Sequence, residues 1–138
     1  MRRAGADGSE KPIRVHVEAL PGGAGQLERL QVDVAPEAYV GFAVRAFDPD
    51  AGRWVMLYAN STRSSVARLK GTVTPSEITW NSVTTGPGRG SRMVWERQPD
   101  GAWQRTQHVS EDRGETWRIL FVDELEREEI SPNPDRRP

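Results

Sequence analysis

The sequence predicts an all-β protein, an antiparallel meander that closes into a barrel of about eight to nine strands. Three observations support this class. Segments of β-like composition recur about every 8–12 residues with turn residues between them, and no stretch shows a convincing helical period of 3.6 residues. Residues 110–117 read Ser-Glu-Asp-Arg-Gly-Glu-Thr-Trp and match the Asp-box pattern S-x-D-x-G-x-T-W, which marks a β-hairpin. Closure into a barrel removes the exposed edges that a meander leaves.

The predicted strands follow one another at short intervals. They are residues 13–20, 28–35, 39–47, 53–60, 65–73, 77–84, 91–97, 102–109 and 115–124. Pro, Gly and Asp separate several of them, at residues 21–25, 49–52, 86–90, 99–101 and 112–114. Residues 1–11 and the tail 131–138 are polar and rich in Gly or Pro, so we expect both to be disordered. A single barrel domain is expected over residues 12–130.

The Asp-box is a signal of fold and does not by itself indicate an enzyme. Asp112 can close the turn through its own backbone, and Gly114 can adopt a positive φ without steric cost. Trp117 is expected to tuck its ring beneath the hairpin. A sialidase-like propeller is set aside because it needs several blades, and this chain of 138 residues has one box.

Composition narrows the function. The 19 basic and 20 acidic residues give a net charge of −1, which provides no electrostatic footprint for nucleic acid. There is no cysteine, and the amino terminus has no apolar run, so we expect a cytoplasmic protein that does not engage a membrane. His16 and His108 lack ligand-type neighbours, which predicts no metal site, and no cofactor is expected. The acidic run that begins at Asp123 is interpreted as solvated.

The turn at residues 99–101 fixes the register of one hairpin. It places Trp95 opposite Arg105 and Met93 opposite Gln107, and we expect this aromatic face to point into the barrel. Arg105 and Gln107 are then polar groups in the interior, which costs free energy unless they are paired or meet a ligand. The alternative is a cation–π contact of Arg105 on Trp95 with the guanidinium at the mouth of the barrel.

An ordered series of motifs supports a resemblance. Residues 45–54 read Arg-Ala-Phe-Asp-Pro-Asp-Ala-Gly-Arg-Trp, residues 58–61 read Tyr-Ala-Asn-Ser, and Arg-Met-Val-Trp at 92–95 precedes Pro-Asp-Gly at 99–101 and the Asp-box. From about residue 42 to 127 the chain therefore resembles a largely uncharacterised bacterial family of lipocalin-like (calycin-type) β-barrel proteins. The resemblance implies a small-molecule pocket and transfers no catalytic residues. Arg113 and Glu115 stand where the family usually has Gly and Lys.

The family's first strand has no counterpart before Ile13. The barrel is then open, closed by another strand, or completed by a second subunit. Residues 13–20 alternate apolar and polar side chains and could form an edge strand, which favours a homodimer. The alternatives are a monomer closed by its own N-terminal segments, and an interaction module whose open edge pairs with a partner.

The predicted pocket combines aromatic walls with a few polar groups. Both faces of the 45–60 hairpin are apolar, but the family's small polar residue at the position of Val55 turns the Arg45 face inward. The walls are Trp54, Trp80 and Trp95, and the polar groups are Arg45, Tyr58, Asn60, Arg105 and Gln107. We expect this pocket to bind a small hydrophobic or amphipathic molecule whose anionic or carbonyl oxygen meets an arginine. The alternatives are a cofactor-independent cyclase or isomerase of a biosynthetic pathway, and a filled core with snorkelling arginines. The sequence does not distinguish the enzyme from the binding protein.

Overall fold

The computed structural model describes residues 1–33, 38–62, 66–82 and 88–126, and this part of the chain is all-β apart from a short 3-10 turn at Pro21–Gly23. The strands are β1 Arg2–Gly5, β2 Glu10–Ala19, β3 Gly25–Val32, β4 Tyr39–Asp48, β5 Arg53–Asn60, β6 Ala67–Val73, β7 Glu77–Ser82, β8 Gly90–Arg97, β9 Trp103–Ser110 and β10 Arg118–Leu125. The predicted all-β class is confirmed. Among the described residues no helix is long and apolar enough to cross a membrane.

The strands form one closed barrel in which sequential strands are antiparallel neighbours. The order around the barrel is β1-β10-β9-β8-β7-β6-β5-β4-β3-β2, so β1 lies between the two ends of the meander. The predicted closure is therefore confirmed, with ten strands instead of the expected eight to nine. The nine predicted segments correspond to β2 through β10, and β1 is the additional strand.

The expected disorder of residues 1–11 is wrong. These residues form β1 and the start of β2, joined by a turn in which Asp7 accepts hydrogen bonds from the Ser9 amide and hydroxyl. The polar composition of residues 1–11 suggested disorder. However, the side chain of this segment that points into the barrel, Arg3, is itself polar and is only 7% exposed. It pairs with Asp123 on β10. The predicted tail, residues 131–138, lies outside the described residues.

Of the three alternatives for closure, the second applies, because another strand closes the barrel. β1 pairs with β10 on one side, with Arg2 opposite Glu124, and with β2 on the other, with Arg2 opposite Pro12. Every strand of the described chain has a neighbour on both sides. The free edge that favoured a homodimer is therefore absent from this part of the chain, and the homodimer stays a prediction without that support.

The Asp-box forms the loop between β9 and β10. Gly114 has the expected positive φ of 84°. Asp112 accepts hydrogen bonds from the amide and hydroxyl of Thr116, and the hydroxyl contact is the largest cause that lowers the Asp112 pKa to about 2. These bonds keep residues 115–117 in the loop, so β10 begins later than predicted. Trp117 is half-buried, where a buried ring was expected, and stacks 4.2 Å from the guanidinium of Arg92.

The core consists of two apolar clusters. One contains Ile13, Leu30, Val32 and Leu125, and the other contains Ala43, Met56, Leu69 and Trp80. Trp95 packs against both clusters. The remaining interior positions include charged side chains, and these define the candidate site.

Candidate functional site

Five buried charged side chains form a chain of alternating sign through the barrel interior. Their order is Arg3, Asp123, Arg105, Glu28, Arg45. Arg3 Nε lies 2.7 Å from Asp123 Oδ1, and Arg105 Nε lies 2.7 Å from Asp123 Oδ2. Arg105 Nη1 donates to Glu28 Oε1 at 2.7 Å, and the other Glu28 oxygen pairs with Arg45 Nη2. Each of the five residues is at most 7% exposed.

Barrel register explains why these side chains meet. Asp123 on β10 lies directly opposite Arg3 on β1 and opposite Arg105 on β9, so one carboxylate serves both neighbouring strands. Glu28 lies on β3, which is not adjacent to β9 in the barrel, and the long Arg105 side chain reaches it through the interior. The Arg105–Glu28 pair therefore ties together two strands that share no backbone ladder.

The ion pairs keep the central members charged. Burial alone would lower the pKa of Arg105, but the charges of Glu28 and Asp123 outweigh it and raise that pKa above the ordinary arginine value. Burial would likewise raise the pKa of Glu28, and the charges of Arg105 and Arg45 outweigh it and lower that pKa. Three guanidinium groups face two carboxylates, so this described network carries one uncompensated positive charge.

At the Arg3 end of the charge network, protein groups satisfy the hydrogen-bond donors of the arginine. Its Nη1 donates to the hydroxyl of Tyr39, and its guanidinium lies 3.6 Å from the centre of the Phe121 ring. Asp123 takes two further donors of the same guanidinium. Donors and charge of Arg3 are therefore satisfied within the barrel.

At the Arg45 end, one hydrogen-bond donor of the arginine is left without a partner in the described chain. Arg45 Nε is buried and has no hydrogen-bond partner among the described residues. Its guanidinium lies 5.0 Å from the Trp95 ring centre and 5.9 Å from that of Trp80. Trp95 Nε1 is also buried without a partner in this part of the chain. Within the described ranges, the end of the network that has no second carboxylate thus has an unused donor, Arg45 Nε, and the Trp95 ring lies against both this guanidinium and that of Arg105.

An apolar mouth lies next to this end. Phe47, Val17 and Val73 share the inward face of their strands with buried positions, yet their exposed fractions are 49%, 44% and 46%. They stand near the ends of β4, β2 and β6, which run in the same direction, so they surround one opening of the barrel. Trp54 packs edge-on against Phe47 with ring centres 5.8 Å apart. Arg45 is two residues further inside than Phe47.

The eight predicted site residues all lie on barrel strands, on the inward face that the register predicts. Arg45, Trp80, Trp95 and Arg105 come together around the charge chain, and Trp54 lies at the mouth. The other three, Tyr58, Asn60 and Gln107, are engaged elsewhere. Asn60 Nδ2 approaches the Tyr58 hydroxyl at 3.4 Å, and Gln107 donates to the Ser91 hydroxyl at 2.6 Å. Burial raises the pKa of Tyr58, so its hydroxyl stays protonated at neutral pH.

Arg105 differs from its expected role. The cation–π contact with Trp95 is present, with 4.9 Å between the guanidinium carbon and the ring centre. Arg105 is 2% exposed and lies within the barrel, as expected, and not at the mouth, where the alternative placed its guanidinium. Its two carboxylate partners come from the protein. Arg105 is therefore a bridging residue. Its Nη2 makes no hydrogen bond of good geometry but lies 2.6 Å from Asp123 Oδ2, whereas Arg45 Nε has no hydrogen-bond partner among the described residues.

The two carboxylates were missed by sequence reasoning. The acidic run beginning at Asp123 was interpreted as solvated, but Asp123 is completely buried. A signal existed, because Asp123 alternates with Phe121 and Leu125 on one face of its strand. Glu28 similarly shares a face with the buried Leu30. An acid within an inward apolar alternation indicates a buried ion pair.

The charge chain and the two apolar clusters lie in the interior around the predicted site residues. Two surface concavities are present, of about 410 Å³ beside the 98–104 turn and about 300 Å³ along β2 and β3, and none of the eight predicted residues lines them. Within the described ranges no group of three or more His, Asp or Glu side chains is placed to hold a metal ion.

Fold and site together define a closed ten-stranded antiparallel barrel with a buried, net-positive charge chain. Comparison with models of known protein families finds no match, and comparison with curated proteins finds none either. The resemblance to the lipocalin-like family therefore stays a prediction, while the barrel class rests on the structure alone.

Proposed function

We propose that this barrel binds a small, largely apolar molecule and that Arg45 holds an anionic or carbonyl oxygen of it. The observation that carries the proposal is the unfinished end of the charge chain, where Arg45 Nε is buried without an acceptor among the described residues. An unsatisfied buried donor costs about 1–3 kcal/mol. One oxygen acceptor at this place would relieve that cost, and a carboxylate would also neutralise the excess charge.

The apolar mouth supplies the rest of the binding surface. Phe47, Val17 and Val73 expose inward-facing apolar area at the opening that leads to Arg45. A ligand chain lying across them would remove that area from water, at about 25 cal/mol per Å². Phe47 and Trp54 pack on each other at this opening, so a ligand would move both aside as it reaches Arg45. The half-exposed position of Phe47 gives it room to move.

The cofactor-independent cyclase or isomerase remains an alternative prediction. Donors that hold a ligand oxygen would also stabilise an oxyanion that develops during a reaction, so both functions use the same residues. The cytoplasmic location and the lack of nucleic-acid and membrane partners likewise stay predictions.

Paired probes test the proposal. Decanoate and decanol share the same alkyl chain, and only decanoate carries the charge that Arg45 would meet. We expect decanoate to change tryptophan fluorescence and to bind about 10- to 100-fold more tightly than decanol, the ratio that a charge-assisted hydrogen bond of about 1.5–3 kcal/mol gives. Arg45→Met should remove this preference, and Arg45→Lys should retain part of it.

A matched pair of phenylalanines on β4 provides the control. Phe47 faces the mouth and is 49% exposed, whereas Phe42 faces outward and is 47% exposed. Phe47→Ser should weaken both probes, and Phe42→Ser should weaken neither. The proposal fails if decanoate does not bind better than decanol, or if the two serine variants behave alike.

A further inference from the structure

The outside of the barrel carries a second apolar surface, on β4 and β5. Antiparallel sheets usually present polar side chains on the face away from the core. Here the outward residues are apolar along both strands, and this β4–β5 outer face consists of Val40, Phe42, Val44, Ala46, Val55, Leu57 and Ala59. Phe42, Val44 and Leu57 are 47%, 41% and 48% exposed. The proposed small-molecule site does not use any of these side chains.

The register makes these residues one contiguous stripe. Phe42 lies opposite Ala59, Val44 opposite Leu57, and Ala46 opposite Val55. Scattered apolar residues on a surface need no explanation, but a contiguous apolar stripe marks an interaction site. The stripe is two strands wide, and Leu27 on β3, opposite Val44, widens it at its middle.

Cations flank the stripe on both long sides. On β3, Arg29 lies opposite Phe42. On β6, Arg68 lies opposite Leu57 and Lys70 opposite Val55. Within the described chain none of these three cations forms an ion pair.

Two acidic residues lie near the stripe, and both are already in contact with protein groups. Glu18 lies across from Leu27 on the neighbouring strand, and Asp48 ends β4. Glu18 lies 4.0 Å from His16, and Asp48 accepts bonds from its own turn. The charged residues directly opposite the stripe on β3 and β6, which are Arg29, Arg68 and Lys70, are therefore all positive.

We propose that the β4–β5 outer face docks an amphipathic helix of a partner protein whose apolar stripe is bordered by Asp and Glu. The dimensions fit one helix. From Val40 to Ala46 the stripe is about 20 Å long, at about 3.3 Å per residue, which matches about 13 residues of helix at 1.5 Å per residue. The cations on β3 and β6 lie about 14 Å apart across three strand spacings, so they straddle a helix about 10–12 Å wide.

A second copy of this chain is excluded as the occupant by charge. A two-fold axis parallel to the strands would place Arg29 of one copy over Arg68 and Lys70 of the other. A two-fold axis perpendicular to the strands within the interface would place each cationic flank over its own counterpart. Both arrangements bring like charges together, which opposes association.

A lipid surface suits the stripe less well than a helix. Membrane-inserting faces use long side chains such as Trp, Phe and Leu. Five of the seven outward residues here are Val or Ala, and only Phe42 and Leu57 are longer. Short side chains leave room for the larger residues of a helix, and they do not reach past lipid headgroups.

A panel of designed helical peptides tests the inference. Each fluorescent peptide of about 14 residues carries a leucine stripe of varied width bordered by glutamates, and its counterpart has lysines in place of the glutamates. We expect at least one glutamate peptide to bind with a micromolar Kd, by fluorescence anisotropy, and its lysine counterpart to bind at least tenfold more weakly. Leu57→Asn should weaken the glutamate peptide at least tenfold, and Phe47→Ser should leave it unchanged.

Charge reversal separates this surface from general stickiness. Arg68→Glu with Lys70→Glu should invert the preference, so that the lysine peptide binds better. Circular dichroism should show each variant folded, because Leu57, Arg68 and Lys70 point outward and Phe47 lies half-exposed at the mouth. Where Leu57→Asn perturbs the barrel, the nearly isosteric Val44→Thr replaces it.

Several outcomes would overturn the inference. One is a panel in which no glutamate peptide binds better than its lysine counterpart. Another is binding that survives both Leu57→Asn and the charge reversal. Binding to vesicles of phosphatidylcholine with phosphatidylserine that depends on Leu57 would assign the stripe to a membrane. A dimer that depends on Leu57 in sedimentation equilibrium would assign it to a second copy.

Discussion

Glu28→Gln is the sharpest test of the buried charge chain. Glu28 neutralises two guanidinium groups, those of Arg105, which is 2% exposed, and Arg45, which is 7% exposed. Arg105 keeps Asp123 as a partner, but Arg45 has no other carboxylate among the described residues. Glutamine retains the shape and one acceptor oxygen, so the substitution removes charge with little change in packing.

The magnitude follows from the burial of both partners. Removing one member of a buried ion pair costs about 3–5 kcal/mol, because a charge is left uncompensated in the interior. This is a large part of a domain stability of about 5–15 kcal/mol. With an m-value of about 2 kcal/mol/M, the urea midpoint should fall by about 2 M.

Urea unfolding followed by tryptophan fluorescence measures this loss. Glu18→Gln is the matched control, because Glu18 has a 58% exposed side chain and lies 4.0 Å from His16. The control should change stability by less than about 0.5 kcal/mol. A loss below about 1 kcal/mol for Glu28→Gln would refute the reasoning, since it would mean that water reaches the charges. Combining Glu28→Leu with Arg45→Met should cost less than Glu28→Leu alone, because the stranded charge is then also removed.

Three further predictions concern pH and the glycines. The pKa of Glu28 is lowered in the folded barrel, so its stabilisation is complete above the ordinary glutamate value of 4.5 and is lost as pH falls below it; thermal melts from pH 7 to 3 should show the drop, and Glu28→Gln should flatten it. Gly114→Ala should lower stability by about 1 kcal/mol or more in urea, since φ is 84° there, and an unchanged midpoint would contradict the turn. Gly71→Ala should cost about 1–3 kcal/mol and alter the near-ultraviolet circular dichroism, because the new Cβ would lie 2.5 Å from the buried Trp80 ring; an unaltered spectrum would argue against that contact.

Much of the fold could be predicted because turn chemistry fixes local register. Trp95 does lie opposite Arg105 and Met93 opposite Gln107, as the 99–101 turn indicates. The 49–52 turn likewise places Arg45 opposite Met56. These pairings depend only on the residues of one turn, so they can be found by counting outward from that turn in the sequence.

Contacts across the barrel could not be counted in that way. Glu28 and Arg105 are 77 residues apart, and they meet only because of how many strands close the barrel and how those strands are tilted. The short strand β1 could not be predicted for a related reason. Its inward residue, Arg3, is polar and pairs with the buried Asp123, so the segment lacks the apolar alternation of a strand. The ion pairs of the candidate site therefore join residues that are far apart in the sequence, and a local sequence pattern does not show which residues pair.

The seam between β1 and β10 has a consequence for the kinetics of folding. The seam pairs the first strand with the last, and its ion pair joins Arg3 to Asp123, 120 positions away. Every other ladder of the described barrel joins strands that are consecutive in the chain. Closing so long a loop carries the largest entropic cost in the molecule, so we expect the seam to form last, after the meander is in place. Substitutions in the seam should then accelerate unfolding much more than they slow folding. The first four-residue strand would in that case govern how long the native state lasts, and have little influence on how fast it is reached.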